Sequence, residues 1–217
     1  MSTNKDLGHL RKSYEKGELS DNFKQRDPLS LFKDWFSAAD NHPEIEEANA
    51  MSIVTLGKDQ FPKARVVLLK QFTEEGFVFY TNYESEKGQA IIAYPKVGIS
   101  FFWPALERQV IIKGVAEKVA PAVSDAYFSS RPLGSQLGAM ASNQSKEIQS
   151  RSELEERLAN LEDTYQDTLP KRPPNWGGFI VRPKEIEFWQ GRPNRLHDRL
   201  LFSITTDQQW EAKRLSP

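Results

Sequence analysis

The stretch GFIVRPKEIEFWQGRPNRLHDR, from Gly178 to Arg199, decides how the rest of the chain is read. It opens as an apolar strand, Gly178 to Val181, and Pro183 is expected to end it. Glu185, Ile186, Glu187, Phe188 and Trp189 then alternate polar and apolar side chains with the period of a half-buried strand. The tetrad Gly191-Arg192-Pro193-Asn194 reads as a turn. Beyond it stand Arg195, Leu196, His197, Asp198 and Arg199. In extended backbone, alternate side chains share a face, so Arg195, His197 and Arg199 would point one way. Two fixed cations and an imidazole on one face suit an anionic ligand. The other reading is a solvated edge strand whose charges discourage strand-to-strand aggregation. The neighbouring pair Phe188-Trp189 favours a site, because a flat ligand needs an apolar wall beside its polar anchors.

Working outward, the 217 residues suffice for one well-packed domain, and β-barrels of this length are often single domains. A net charge of −1 argues against a non-specific nucleic-acid binder, which normally carries a basic excess. No apolar run approaches the roughly 20 residues of a membrane-spanning helix, and the polar N-terminus lacks the apolar core of a signal peptide. The absence of cysteine excludes disulfides and thiol nucleophiles. The expected location is the cytoplasm. The histidines are His9, His42 and His197, and none pairs with another at a metal-ligating spacing, so no metal site is expected. His197 is the candidate for chemistry.

Residues 1–26 read as a polar, mobile leader that Leu10, Tyr14 and Leu19 would let fold over something. Residues 27–217 read as a single domain. Asp27-Pro28 starts a helix with an N-cap acid and proline at the first position, and Leu29, Phe32, Trp35, Phe36 and Ala39 give it an apolar stripe. The runs 51–56, 64–70, 77–82, 97–103 and 108–119 are rich in Val, Ile and Phe and are expected as strands. Gly57-Lys58-Asp59 and Glu74-Glu75-Gly76 read as hairpin turns. Short helices are expected from Ser85 to Tyr94 and from Pro121 to Phe128. Ser152-x-x-Glu155 resembles a capping box for a helix carrying Leu154, Leu158, Leu161 and Tyr165. Successive strands on short turns imply antiparallel order, and so a barrel or a sandwich with peripheral helices.

The glycine-rich signatures of dinucleotide folds and P-loops are absent, so any phosphate must be held by side chains. Arg65 and Lys70 flank an apolar run and, five residues apart, would face opposite sides of a regular strand. They serve either different ligands or only solubility. Lys87 lies near a helix start, where backbone N–H groups favour an anion, with Thr81 and Ser85 nearby as hydroxyl donors. Tyr127 and Arg131 are four apart on a helix, with Ser135 close behind. They would make a phosphate clamp, although a helix C-terminus also attracts an arginine for dipole reasons alone.

Together RVVLLK, FYTN, ERQVIIKG, YFSSRPLGSQLGAMASNQS, WGGF and IEFWQGRPNRLHDR resemble the pyridoxamine/pyridoxine 5′-phosphate oxidases, in register over nearly the whole chain. The resemblance implies a mainly β, antiparallel FMN-binding split β-barrel, and a homodimer with FMN at the subunit interface. It implies oxidation of a phosphorylated B6 vitamer to pyridoxal 5′-phosphate, with dioxygen as acceptor and hydrogen peroxide as by-product. By position, Arg65 and Lys87 would hold the FMN phosphate. Val66, Val67, Leu68, Leu69, Lys70, Tyr80, Thr81, Gln109, Gln144, Ser145, Trp189 and Arg199 would line the rest of the flavin. Lys70, Tyr127, Arg131 and Ser135 would clamp the substrate phosphate, Arg195 and His197 would orient the substrate ring, and Arg11 to Tyr14 would act as a lid. One position departs: Glu86 stands where members of the family often carry an arginine, which implies weaker FMN retention. The alternatives are a split-barrel flavin reductase acting on another substrate, and a flavin- or pyridoxal-phosphate-binding module without turnover.

Overall fold

Asp27 accepts the Ser30 N–H and Pro28 follows it, so helix α1 begins where the sequence places it and spans Pro28–Asp40. Its buried face is Pro28, Leu31, Phe32, Trp35 and Ala39, whereas Leu29 and Phe36 are only half-buried. The computed structural model describes residues 5–217; the first four residues of the expected leader lie outside the described residues. Strands β1 (Ala50–Leu56) and β2 (Pro62–Leu68) form an antiparallel hairpin across the expected Gly57–Asp59 turn. The expected 64–70 strand ends at Leu68. Lys70 lies beyond it and donates its N–H to Val78, and β3 (Gln71–Thr73) turns back on β4 (Gly76–Asn82). The parity argument that set Arg65 against Lys70 on one strand therefore does not apply.

Helix α2 (Glu86–Ala93) is capped by Ser85, whose hydroxyl accepts the Gly88 N–H. Strands β5 (Lys96–Trp103) and β6 (Arg108–Lys118) come next, then helices α3 (Pro121–Ser130), α4 (Leu133–Ala141) and α5 (Arg151–Thr164). The α5 cap is Ser150, which accepts from the Glu153 N–H, two residues before the expected Ser152 and Glu155. The carboxylate of Glu153 accepts the N–H of Gln149, the residue before the cap, so the pair resembles a capping box shifted by one residue on its return bond.

Strand β7 runs unbroken from Trp176 to Gln190, straight through Pro183. It pairs antiparallel with β4 over 176–181 and with β8 (Asp198–Ile204) over 185–190. Pro183 falls between these two paired stretches, so on that edge its missing N–H interrupts no ladder. Strand β9 (Trp210–Leu215) pairs with β8. The sheet order is β2-β1-β5-β6-β7-β4-β3, with β8 and β9 branching from β7, and the fold is an antiparallel split β-barrel with peripheral helices.

The chain forms two compact units, one of residues 1–48, 101–111 and 185–217, the other of residues 49–100 and 112–184. Strands β5, β6 and β7 each pass from one to the other. In the first, Phe32 packs on Phe101 at 5.2 Å between ring centres and Trp35 meets Phe188 edge-on at 5.2 Å. The leader is tied to this unit. Leu19 is buried, its N–H donates to Asp198, and its carbonyl accepts from Arg214. In the second unit, Met51, Ile53, Phe77, Phe79, Ile99, Ile112 and Phe179 are buried. Among the described residues no helix is long and apolar enough to cross a membrane.

Candidate active site

Some of the expected site residues lie in two cationic clusters, one within each unit, with an aromatic stack beside the second. On β2, Arg65 is half-buried and its Nη1 donates to the Thr55 hydroxyl and the Lys63 carbonyl. Thr55 is the diagonal neighbour set by the Ile53–Arg65 and Thr55–Lys63 register. In the same unit Lys87 Nζ contacts Thr81 Oγ1 at 3.2 Å and Gln144 Oε1 at 3.1 Å, and Thr81 donates to Gln144 at 3.0 Å. Burial, and then the neighbouring Arg65, push the Lys87 ammonium below the usual lysine range, with Glu86 opposing. Burial likewise lowers Arg65. Two desolvated cations hydrogen-bonded to neutral groups suit an incoming dianion, because each regains on binding the Coulomb stabilisation that it lost on leaving water. Glu86 is turned to Lys63, Nζ to Oε2 2.6 Å, at the exposed edge of this cluster. Val66 and Lys70 are exposed, Val67 and Leu68 half-buried, Leu69 buried, and Ser145 adopts a left-handed φ of 71° next to Gln144.

Beside that cluster lies an aromatic stack. The rings of Tyr80 and Tyr127 are 3.8 Å apart and 17° from parallel, and Tyr127 and Trp176 lie 6.2 Å apart at 5°. The Arg131 guanidinium rests 4.8 Å over the Trp176 ring. Its Nη1 is buried and has no hydrogen-bond partner among the described residues. A buried guanidinium N–H without a partner is costly, and a phosphate oxygen would satisfy it. Burial lowers the Arg131 pKa and raises those of Tyr127 and Tyr80. The buried Gln136 donates to the Arg131 carbonyl at 2.8 Å and so fixes the α3–α4 corner, while Ser135 stays exposed. Sequence reasoning missed both Gln136 and Trp176. Trp176 was legible only as part of WGGF, with no charge pattern to mark it.

In the first unit, β7 and β8 carry the stretch from Gly178 to Arg199 beyond its halfway point. Arg195, Leu196 and His197 are not in a strand: a short 3-10 turn spans Pro193–Arg195, with Asn194 at φ 56° and Arg195 at φ 61°. The common face expected for Arg195, His197 and Arg199 is thereby broken. Arg199 sits in β8 and pairs with Glu187 on β7 at 2.7 Å, which raises its pKa. His197 instead packs on Trp189 at 4.7 Å and on Tyr14 at 5.7 Å between ring centres. Its Nδ1 accepts the Arg192 N–H at 3.1 Å, so the neutral ring carries its proton on Nε2. His197, Tyr14 and Arg192 line a cavity of about 630 Å³ whose wall also includes Arg11, Lys12 and Arg195. Gln109 and Trp189 are half-buried in this unit. Among the described residues no group of three or more His, Asp or Glu is placed to hold a metal.

A family model described as "Pyridoxamine 5'-phosphate oxidase" matches residues 39–165, and one described as "Pyridoxine 5'-phosphate oxidase C-terminal dimerisation region" matches residues 176–217. A pyridoxine/pyridoxamine 5'-phosphate oxidase of Flavobacterium psychrophilum is 57% identical over 213 residues, 98% of this chain and 100% of the relative. The chain belongs to the pyridoxine/pyridoxamine 5'-phosphate oxidase family. Another member, from Synechocystis, is 51% identical over 97% of this chain and 98% of its own length. Among solved structures, PhzG from Burkholderia lata, in complex with tetrahydrophenazine-1-carboxylic acid, superposes with a TM-score of 0.85 at 26% identity, covering 92% of this chain and 98% of PhzG. An FMN binding protein from Nostoc punctiforme, described as pyridoxamine 5'-phosphate oxidase-related, shares the fold with a TM-score of 0.71 at 15% identity, over 89% of this chain and 100% of that one. Membership of this family carries a flavin-dependent homodimer, with residues 176–217 as its dimerisation region.

Proposed function

We propose that this chain is an FMN-dependent oxidase that converts pyridoxamine or pyridoxine 5′-phosphate to pyridoxal 5′-phosphate. Dioxygen receives the two electrons and leaves as hydrogen peroxide; the amine substrate also takes up water and releases ammonia. The observation that carries the reading is the cationic cavity lined by Tyr14, Arg192, Arg195 and His197, with Trp189 packed against Tyr14 and His197, in a chain aligned end to end with named oxidases.

FMN, when bound, supplies the two-electron acceptor, and the protein's part is to hold and orient. Arg65 and Lys87, with Thr81, Gln144 and Ser145 beside them, hold the flavin phosphate. Val66 to Lys70, Tyr80, Gln109, Trp189 and Arg199 line the remainder. Lys70, Tyr127, Arg131 and Ser135 clamp the substrate phosphate, and the unpaired Nη1 of Arg131 supports that role. Arg195 supplies fixed positive charge to the ring, and the Nε2–H of His197 donates to a ring oxygen, so the reacting carbon is oriented towards the flavin. Arg11 and Tyr14 close over the ring from the leader. A flavin at the interface of the homodimer and a cytoplasmic location belong to the same proposal.

The test is direct. Purified protein supplied with FMN and pyridoxine 5′-phosphate in air should form pyridoxal 5′-phosphate and hydrogen peroxide in equal amounts. Arg195→Ala and His197→Ala should each lower turnover about a hundredfold, in the range of a lost positioning or proton-donating group, while retaining the flavin. A flavin-loaded protein that leaves the vitamer unchanged would favour a reductase of another substrate. Flavin loss in either variant would remove Arg195 or His197 from the substrate.

A further inference from the structure

Between β5 and β6 lies a buried carboxylate that the proposed chemistry does not use. Glu107 is 2% exposed and sits at φ 54°, ψ 39°, a left-handed conformation that a residue with a Cβ adopts at a cost. Its backbone is fixed from both sides: its carbonyl accepts the Gly191 N–H at 2.8 Å and the buried Gln190 amide at 3.2 Å. The side chain is thereby committed to the leader. Glu107 Oε2 accepts the backbone N–H of Glu15 at 2.7 Å and of Lys16 at 2.9 Å, and Oε1 meets Lys12 Nζ at 3.4 Å. Lys16 Nζ donates to the Ala105 carbonyl at 2.7 Å. Burial would push the carboxyl up, but the N–H groups of Lys16 and Glu15, with Lys12, outweigh it and hold it below the usual carboxylate range. A strained residue carrying a buried charge that binds a different segment's backbone is arranged for that segment.

The segment it holds is the one carrying Tyr14. Immediately before the two clasped N–H groups, the Tyr14 ring stands 5.7 Å from Trp189, edge-on, and 5.7 Å from His197. Arg11, Lys12 and Tyr14 form one wall of the cavity of about 630 Å³ and Arg192, Arg195 and His197 the other. Tyr14 also packs closely on Gly191, where an added Cβ would fall 2.7 Å from the Tyr14 Cβ. We propose that Glu107 is a positioning residue for substrate binding: its carboxylate clasps the Glu15-Lys16 backbone and so holds Tyr14 in the wall of the cavity. Glu107 touches neither flavin nor substrate and acts through Tyr14. This inference rests on the oxidase reading proposed above.

The test uses the full-length, FMN-loaded enzyme and the variant Glu107→Gln. Glutamine keeps one acceptor but brings an NH₂ against the clasped N–H groups, while the backbone anchors of residue 107 remain. The KM for pyridoxine 5′-phosphate should rise about tenfold, the equivalent of one lost charge-assisted hydrogen bond. FMN affinity and kcat should stay within about twofold, well below that tenfold step. Trypsin should cut the leader after Lys12 and Lys16 faster than in the parent, a readout that needs no activity. Gly191→Ala, whose Cβ would fall 2.7 Å from the Tyr14 Cβ and 3.1 Å from the Glu107 Cβ, keeps the Glu107 carboxylate but crowds Tyr14 most and should reproduce the KM rise. In a Tyr14→Ala background Glu107→Gln should have no further effect on KM. An unchanged KM, an undiminished effect in the Tyr14→Ala background, or an unaltered rate of leader cleavage would overturn the clasp. Failure of the parent itself to oxidise the vitamer would instead overturn the oxidase reading, and the cleavage rates would still decide the clasp.

Discussion

Lys87 stands where an ammonium is uncomfortable, half-buried beside Arg65 and hydrogen-bonded to neutral Thr81 and Gln144. Its folded pKa is lowered, so the folded chain releases this proton at a lower pH than the unfolded chain does. Charged Lys87 therefore costs stability at neutral pH, and the FMN-free protein regains it as pH rises from the lowered value towards the ordinary lysine value of 10.5. A bound phosphate reverses the preference. Lys87→Met should thus leave the thermal midpoint of the FMN-free protein unchanged or raised, yet weaken FMN binding about tenfold to a hundredfold, as for a lost charge-assisted hydrogen bond. A calorimetric scan and a flavin fluorescence titration check the two halves; a lowered midpoint with unchanged affinity would mean that Lys87 is structural. Glu86 is the opposite case. Paired with Lys63 at the edge of the same cluster, it subtracts from the field at Arg65 and Lys87. Glu86→Arg should tighten FMN by about fivefold to tenfold, a charge reversal at short range in a largely hydrated setting. An unchanged or weaker affinity in the same titration would contradict that role for Glu86.

At the scale of elements, strand β7 carries closely packed glycines. A Cβ on Gly177 would fall 2.2 Å from the Tyr83 hydroxyl and 2.9 Å from Ser124 Oγ, and next to it Gly178 N–H donates to Ser124. Gly177→Ala should therefore destabilise by about 1–3 kcal/mol through overpacking. Its thermal midpoint should drop about 2–10 °C for a chain of this size, with part recovered by adding Tyr83→Phe, and a midpoint equal to the parent's would refute the close packing. Such approaches leave no pattern in sequence, because they join residues far apart in the chain. Alternation and caps, by contrast, were legible. Apart from the second, which runs Pro62–Leu68, the Val-, Ile- and Phe-rich strands, with Asp27 as cap and the Ser85 start of α2, stand where the sequence puts them. Helix α4 was not foreseen, since LGSQLGAMA has two glycines and no charge pattern to mark a helical face. The Arg195–Arg199 parity failed for a different reason: left-handed backbone at Asn194 and Arg195 reorients the residues after them, and neither residue type demands it.

For the whole molecule, the sheet order joins β7 to β4 and β8 through pairings separated by up to about a hundred residues, which local pattern cannot specify. The candidate residues were legible for a different reason: they sit in motifs shared with the family, and spacing suggested an anion site only for Lys87, for Tyr127, Arg131 and Ser135, and for the Arg195–Arg199 face, the remaining roles coming from that resemblance. The structure adds the partners that motifs do not carry, namely Thr55 behind Arg65, Trp176 under Arg131 and Glu107 under the leader. If these clusters serve one flavin-dependent oxidation, an absorbance spectrum tests it most directly. The purified protein loaded with FMN should show the flavin band, lose it on anaerobic addition of pyridoxine 5′-phosphate, and regain it when air is admitted. A flavin band that the vitamer leaves untouched would contradict the oxidase while leaving the split barrel standing.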